Sequence, residues 1–372
     1  MCQQTGRAGP PVTLSRLSSP QRADTTCSNS PSMALLKRRK HDRTEQDSEY
    51  FQCYSDITVH EEMLSDTVRT NAYKTAIFRS QGALLGKKVL DVGAGTGILS
   101  MFCAQAGASK VYAVEASTVS ELACNIIKHN GMEGNIEVIS SPVENAEIPG
   151  EVDAIVSEWM GYGLMYESML SSVLYARDKW LKPGGLIFPN HADLFIAPIS
   201  DTVVEERLNF WSGVQDMYGV DMSCVETVAR KCIMSKDIAV CPIYPENVLS
   251  HPVKFSTLNL ATITLEDIND IRGSFKFCCF GSSLMHGFSV WFSVNFPGDD
   301  GVTLSTSPYG QDTQWKQTVL YLEEEVHVEQ DTEICGDIRM SPSENNPRHL
   351  CVSITYSIDG GAQTTRNFQM GH

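Results

Sequence analysis

The sequence predicts an α/β protein: an open parallel sheet preceded by helices, then an antiparallel β-rich domain carrying a helical arm. Three observations predict it. Residues 89–100, VLDVGAGTGILS, read as strand, tight glycine loop and helix. From Gly86 to Ile187, apolar runs of strand length alternate with helical patterns at the spacing of βαβ units. After Pro183-Gly184-Gly185 the pattern changes to short β-rich runs separated by Gly, Pro, Asn and Asp.

In chain order, residues 1–45 are dominated by Ser, Thr, Pro, Gly and Gln without a sustained period. Such a stretch cannot bury enough apolar area to offset its ordering entropy, so a disordered tail is expected. Within it Lys37, Arg38, Arg39 and Lys40 form a basic run compatible with nuclear import, or with simple solubilising charge. From Tyr50 to Lys74, aromatics and Met alternate with acids at helical spacing, which predicts an amphipathic helix pair lying as a lid over the sheet. Core packing is the expectation for most of these positions. Arg69 differs, because a guanidinium brought over the glycine loop could pair bidentately with a ligand carboxylate.

Residues 46–188 are read as one α/β domain. Gly93, Gly95 and Gly97 let the backbone turn with positive φ and let a ligand approach the main chain, and the helix that follows offers free N–H groups. The spacing is G-x-G-x-G, not the G-x-G-x-x-G of dinucleotide sites. A second strand, Lys110 to Val114, ends at Glu115, 18 positions beyond Gly97, where an open α/β sheet places an acid for a ribose diol. A third, Ile136 to Ser140, leads into Glu144, in reach of an adenine amino group. The fourth, Val152 to Ser157, delivers Glu158. Each acid alone could be a solvated loop residue, but strand ends on one edge of a parallel sheet converge on one crevice. Beyond the fourth strand comes SEWMGYGLMYES, with Glu158 and Glu167 nine residues apart around Gly161 and Gly163. Two acids on a glycine-bent hairpin can face each other, and a loop this apolar is not expected to be freely solvated. A long helix then ends near Trp180.

Residues 189–372 are read as the antiparallel domain, with strands at Leu194 to Ile199, Phe275 to Phe280, Gly287 to Phe296, Lys316 to Leu322 and His349 to Ile358. A helical insertion near 202–222 carries Leu208, Phe210, Trp211, Met217 and Tyr218, an exposed apolar set that suggests an interaction arm.

The totals agree. At 372 residues with 42% hydrophobic and 20% charged content, the chain has ample core for more than one domain. No apolar run approaches a membrane span and no signal-peptide core opens the chain, so an intracellular protein without a membrane partner is expected. The 12 cysteines form no C-x-x-C pair or zinc-spaced cluster, so no metal is expected and the thiols are read as reduced and largely buried. Net charge is −16, but residues 1–45 hold +5, which leaves −21 for the body. An acidic body suits basic partners and argues against a direct nucleic-acid site.

Several stretches carry a family resemblance that covers Tyr50 to about Gln369: YFQCYSD at 50–56, HEEML at 60–64, VLDVGAGTGILS, VYAVEAS at 111–117, SPVE at 141–144, SEWMGYGLMYESML at 157–170 and TQWKQ at 313–317. The chain resembles the type I protein arginine N-methyltransferases. The resemblance implies a Rossmann-like class I methyltransferase sheet, a β-barrel, a dimerisation arm at the helical insertion, and a homodimer. It implies S-adenosylmethionine in the crevice, with His60, Arg69, Gly93, Glu115 and Glu144 among its contacts and Arg69 on its carboxylate. Glu158 and Glu167 would be the catalytic pair that grips a substrate arginine, flanked by Met63, Met160 and Trp315. Products would be monomethyl and asymmetric dimethylarginine, on histone tails and other basic or Arg/Gly-rich nuclear proteins, with a role in chromatin and transcription. One position departs from the family: its usual Thr-His-Trp reads Thr313-Gln314-Trp315, without an imidazole to pair with Asp66, which Gln314 could still reach as a neutral hydrogen-bonding partner.

The chemistry is coherent with these residues. An arginine stays protonated at neutral pH and is a poor nucleophile until its charge is drawn toward one nitrogen, which two carboxylates can do. A nicotinamide dehydrogenase would need a proton relay that the sequence does not show. A small-molecule methyltransferase would use the cofactor half equally but leaves two facing acids unexplained. A non-catalytic scaffold is disfavoured by intact Glu115, Glu158 and Glu167.

Overall fold

The computed structural model describes residues 43–371 except 236, 299 and 300. The basic run Lys37 to Lys40, and the expected tail up to residue 42, lie outside the described residues. Among the described residues, no helix is long and apolar enough to cross a membrane.

The chain enters through α1 (Arg43–Cys53), α2 (Ile57–Ser65), α3 (Thr67–Arg79) and the short α4 (Gln81–Leu84). The expected helix pair is therefore a run of separate helices. The reason is local: Asp56 accepts the Thr58 N–H at 2.9 Å and Asp66 accepts the Arg69 N–H at 2.9 Å, so each aspartate starts a new helix by satisfying an otherwise unpaired donor.

The parallel sheet comprises β1 (Lys88–Val92), β2 (Lys110–Glu115), β3 (Ile136–Ser140), β4 (Val152–Val156) and β5 (Leu181–Phe188), in the order β3-β2-β1-β4-β5. Helices α5 (Ile98–Gln105), α6 (Val119–His129) and α7 (Leu170–Trp180) connect them. Leu90, Val111, Ala113, Ile155 and Val156 are fully buried, as strands covered on both faces require. Strand order reverses between β1 and β4, so the crevice at their carboxyl ends is the topological switch point where ligands of open α/β sheets bind.

The antiparallel part begins with β6 (His191–Ile199), followed by α8 (Thr202–Tyr218), α9 (Glu226–Ile233), β7 (Ala239–Cys241), β8 (Val253–Asn259), α10 (Leu265–Ile268), β9 (Ile271–Cys278), β10 (Ser283–Asn295), β11 (Thr303–Ser305), β12 (Gln317–Val328), β13 (Glu333–Pro342), β14 (Leu350–Ile358) and β15 (Thr364–Met370). One sheet runs β7-β12-β10-β6-β8, with β11 on β10, and the other β15-β14-β13-β9. Phe275 and Phe277 of β9 meet Phe288 of β10, and Phe288 meets Tyr356 of β14 at 5.4 Å between ring centroids, so an aromatic layer closes the barrel.

Two expectations are corrected. Leu208 is not on the exposed face of the arm: it is buried with Val204, Val214 and Trp291, while Phe210, Met217 and Tyr218 are exposed and Trp211 is half-buried against Phe210. Helical periodicity explains the split, since Val204, Leu208 and Val214 share one face. Nor are the thiols largely buried: Cys53, Cys124, Cys224, Cys232 and Cys278 are exposed, and of the described cysteines only Cys103 and Cys279 are fully buried.

Candidate active site

A cavity of about 870 Å³ opens at the carboxyl ends of β1, β2 and β4, under α1 and α2. Its floor is the glycine loop. Gly93, Gly95 and Gly97 have φ of 72°, 54° and 86°, which L side chains rarely adopt, and a Cβ on Gly95 would stand only 3.2 Å from the His60 ring. Glu115 at the end of β2 faces this loop, accepting the Gly95 N–H at 2.8 Å and the Ser117 N–H at 2.7 Å. Glu144 lines the same wall and accepts the Ser172 hydroxyl at 2.6 Å. His60, buried, contacts the Tyr54 carbonyl through Nε2 at 2.9 Å.

The hairpin after β4 supplies the acids. Gly161 and Leu164 exchange main-chain bonds of 3.1 and 2.9 Å, so Glu158 and Glu167 emerge on either side of a tight turn and both line the cavity. The Glu158 side chain is 11% exposed; Arg69 donates to its Oε2 at 3.1 Å and the Met160 N–H to its Oε1 at 3.2 Å. Burial pushes the Glu158 carboxyl up to about 7, with Arg69 pulling down and Glu167 pushing up. Glu167 is also raised by burial, against the pull of Tyr54 and Tyr50, which donate to it, and of Arg348 beside it; the Tyr54 hydroxyl lies 2.7 Å from its Oε2.

Of the candidate catalytic, cofactor-binding and substrate-flanking residues, all line this cavity except Trp315. His60, Met63, Arg69, Gly93, Glu115, Glu144, Glu158, Met160 and Glu167 converge on it from five separate stretches of chain. Trp315 is corrected: it is buried behind Met160, holding the Met160 carbonyl with its indole N–H at 2.7 Å, so it supports a wall residue and does not flank the cavity. Gln314 does meet Asp66, but through its main-chain N–H at 2.9 Å and not through its amide. Arg69 is paired with Glu158 and donates from Nε to the Met63 carbonyl at 3.0 Å. Sequence reasoning missed Tyr50, Tyr54 and Arg348. Two hydroxylated aromatics four residues apart, at helical spacing, are a signal for the tyrosines, whereas Arg348, 181 residues beyond Glu167, has none.

Comparison with known proteins agrees with this geometry. A family model described as "Methyltransferase domain" matches residues 89–185, and one described as "Arginine methyltransferase oligomerization subdomain" matches residues 190–361. The chain is 67% identical to protein arginine N-methyltransferase 6 of Xenopus tropicalis, over 91% of this chain and 100% of that protein. The chain belongs to the protein arginine N-methyltransferases. The same-named protein of Danio rerio is 57% identical over 91% of this chain and 97% of its own. Among solved structures, the Trypanosoma brucei PRMT1 enzyme-prozyme heterotetrameric complex with AdoHcy matches with a TM-score of 0.77 and 34% identity, covering 86% of this chain and 99% of that one. The cofactor of this methyltransferase is S-adenosylmethionine, and the donor set fits it: a glycine floor held at positive φ, the Glu115 carboxylate for a diol, Glu144 on the wall, and the Arg69 cation for a carboxylate.

Proposed function

We propose that this methyltransferase is a type I enzyme, giving monomethyl and then asymmetric dimethylarginine on histone tails and other basic or Arg/Gly-rich nuclear proteins. The observation that carries the arginine reading is the pair Glu158 and Glu167 lining one cavity with the glycine loop, and the product isomer rests on the family resemblance. Burial raises both carboxyls, and repulsion by Glu167 raises Glu158 further. A guest cation relieves that repulsion. A guanidinium presents a planar fork of donors that matches two carboxylates, so the pair selects arginine over a point charge such as lysine.

When bound, S-adenosylmethionine supplies an electrophilic sulfonium methyl; His60, Arg69, Gly93, Glu115 and Glu144 would hold it. Glu158 and Glu167 orient the guanidinium and draw its positive charge away from one terminal nitrogen, freeing that lone pair for attack. Glu158, poised near neutrality, is suited to take the proton that this nitrogen sheds. Positioning provides most of the acceleration, and effective molarities of about 10⁵ M or more are attainable this way.

The exposed Phe210, Met217 and Tyr218 of α8 support a homodimer through this arm, because such a patch is costly to leave in water. The Lys37 to Lys40 run supports nuclear import; alanine at all four positions should move a fluorescent fusion toward the cytoplasm. The central test is mass spectrometry of an arginine-rich peptide after incubation with cofactor, with dimethylarginine isomers resolved. Symmetric dimethylarginine, or no transfer, overturns the type I reading.

A further inference from the structure

Arg348 lies in the loop between β13 and β14, far in sequence from every residue so far placed in the mechanism, yet it lines the same cavity. It holds Glu167 from both sides of the peptide. The Glu167 N–H donates to the Arg348 carbonyl at 2.7 Å, and Arg348 Nη1 donates to the Glu167 carbonyl at 2.8 Å. The other face of the guanidinium secures α1: Nε and Nη2 donate to Asp47 Oδ1 at 3.0 and 2.7 Å, and the guanidinium carbon sits 3.9 Å from the centre of the Tyr50 ring. The same loop accepts a second bond from α1, Gln46 Nε2 to the Asn345 carbonyl at 2.8 Å.

What this clasp restrains is unusual backbone. Glu167 and Ser168 have φ of 77° and 58°. Non-glycine residues keep such conformations only where the surroundings over-determine them. Helix α1, the other body that Arg348 holds, carries Tyr50 and leads into Tyr54, and both donate to the Glu167 carboxylate. We propose that Arg348 is a positioning residue for methyl transfer, one guanidinium that sets the backbone of Glu167 and docks the lid helix whose tyrosines orient its carboxylate. The inference rests on the reading of Glu167 as a catalytic acid. Lysine cannot substitute, because a point charge on a flexible stem cannot reach the Glu167 carbonyl and Asp47 while stacking on Tyr50.

The groups facing Glu167 are Tyr50 of α1, Tyr54 just beyond it, Glu158 and Tyr166 of the hairpin, and Arg348 of the barrel loop. Of these only Arg348 is cationic, so its removal disfavours the ionised Glu167 carboxylate and adds a Glu167 ionisation to the acid limb set by Glu158, which moves to higher pH.

The test compares full-length Arg348→Ala, Arg348→Lys and Glu167→Gln by kcat, by calorimetric Kd for S-adenosylmethionine, and by the pH profile of kcat/KM. Arg348→Ala is expected to lose about 10- to 100-fold in kcat, the scale of a small misplacement of a reacting group, with Kd little changed and the acid limb shifted upward. Arg348→Lys should return the limb toward its original position but leave kcat low. Wild-type kcat in Arg348→Ala, with Glu167→Gln inactive, overturns this inference alone; wild-type kcat in Glu167→Gln overturns the reading of Glu167 beneath it. Full recovery of kcat by Arg348→Lys shows that charge suffices and overturns the clasp. Should Arg348→Ala fail to bind cofactor at all, the lysine variant decides: low kcat with normal Kd supports the clasp, and normal kcat refutes it.

Discussion

Lowering the pH from about 8 to about 6 should cut kcat/KM for an arginine peptide, measured at saturating S-adenosylmethionine, with Glu158 as the titrating group. Burial raises its carboxyl from 4.5 to about 7, against the pull of Arg69 at 3.1 Å and with the push of Glu167. At 1.36 kcal/mol per pKa unit, ionising Glu158 in the pocket costs about 3 kcal/mol more than in water. The protonated acid can neither grip a guanidinium as an anion nor take its proton, so activity is expected from the ionised form. One proton gives roughly a tenfold fall per pH unit below the limb, hence about tenfold at pH 6. In kcat the limb should lie lower, because a bound guanidinium favours the carboxylate. Stability has the opposite sign: a carboxyl raised on folding contributes stability that is complete below about 4.5 and lost as pH rises through about 7. Initial rates with a methyl-labelled cofactor across this range, beside Glu158→Gln, are the assay. A kcat/KM that stays flat from about pH 8 to 6 would refute the assignment.

Replacing Glu115 by Ala removes a charged acceptor that also organises Gly95 and Ser117, and should weaken cofactor binding by about 1.5–3 kcal/mol; unchanged calorimetric affinity removes Glu115 from the site. Gln314→Ala keeps the main-chain bond to Asp66, so activity should change by no more than about twofold, equivalent to about 0.5 kcal/mol; a tenfold loss would assign the work to the amide after all. Phe210→Ser with Tyr218→Ser should lower dimer affinity by at least about tenfold per apolar anchor lost, read by sedimentation, and an unaltered dimer would place the interface elsewhere.

How much of this was legible in residue order follows from the range over which each feature is encoded. Strand ends, the glycine loop and the two-acid hairpin are local patterns, and βαβ alternation obliges the strand ends to share one edge, so Glu115, Glu144, Glu158 and Glu167 could be placed together before any coordinate was known. That the hairpin acids grip a cationic arginine was implied by the family resemblance of residues 157–170. Contacts between loops are another matter. Trp315 behind Met160, the main-chain bond from Gln314 to Asp66 and the clasp of Arg348 on Glu167 join residues 155, 248 and 181 positions apart. No periodicity specifies them. They depend on how the barrel seats against the parallel sheet, and on whether a side chain or the peptide beside it reaches the partner first. The pairing of Arg69 with Glu158 belongs to the same class, as does the burial of Leu208 beneath an otherwise exposed helix. Sequence pattern assigns residues to an element and a face; packing alone decides which atom of each meets which.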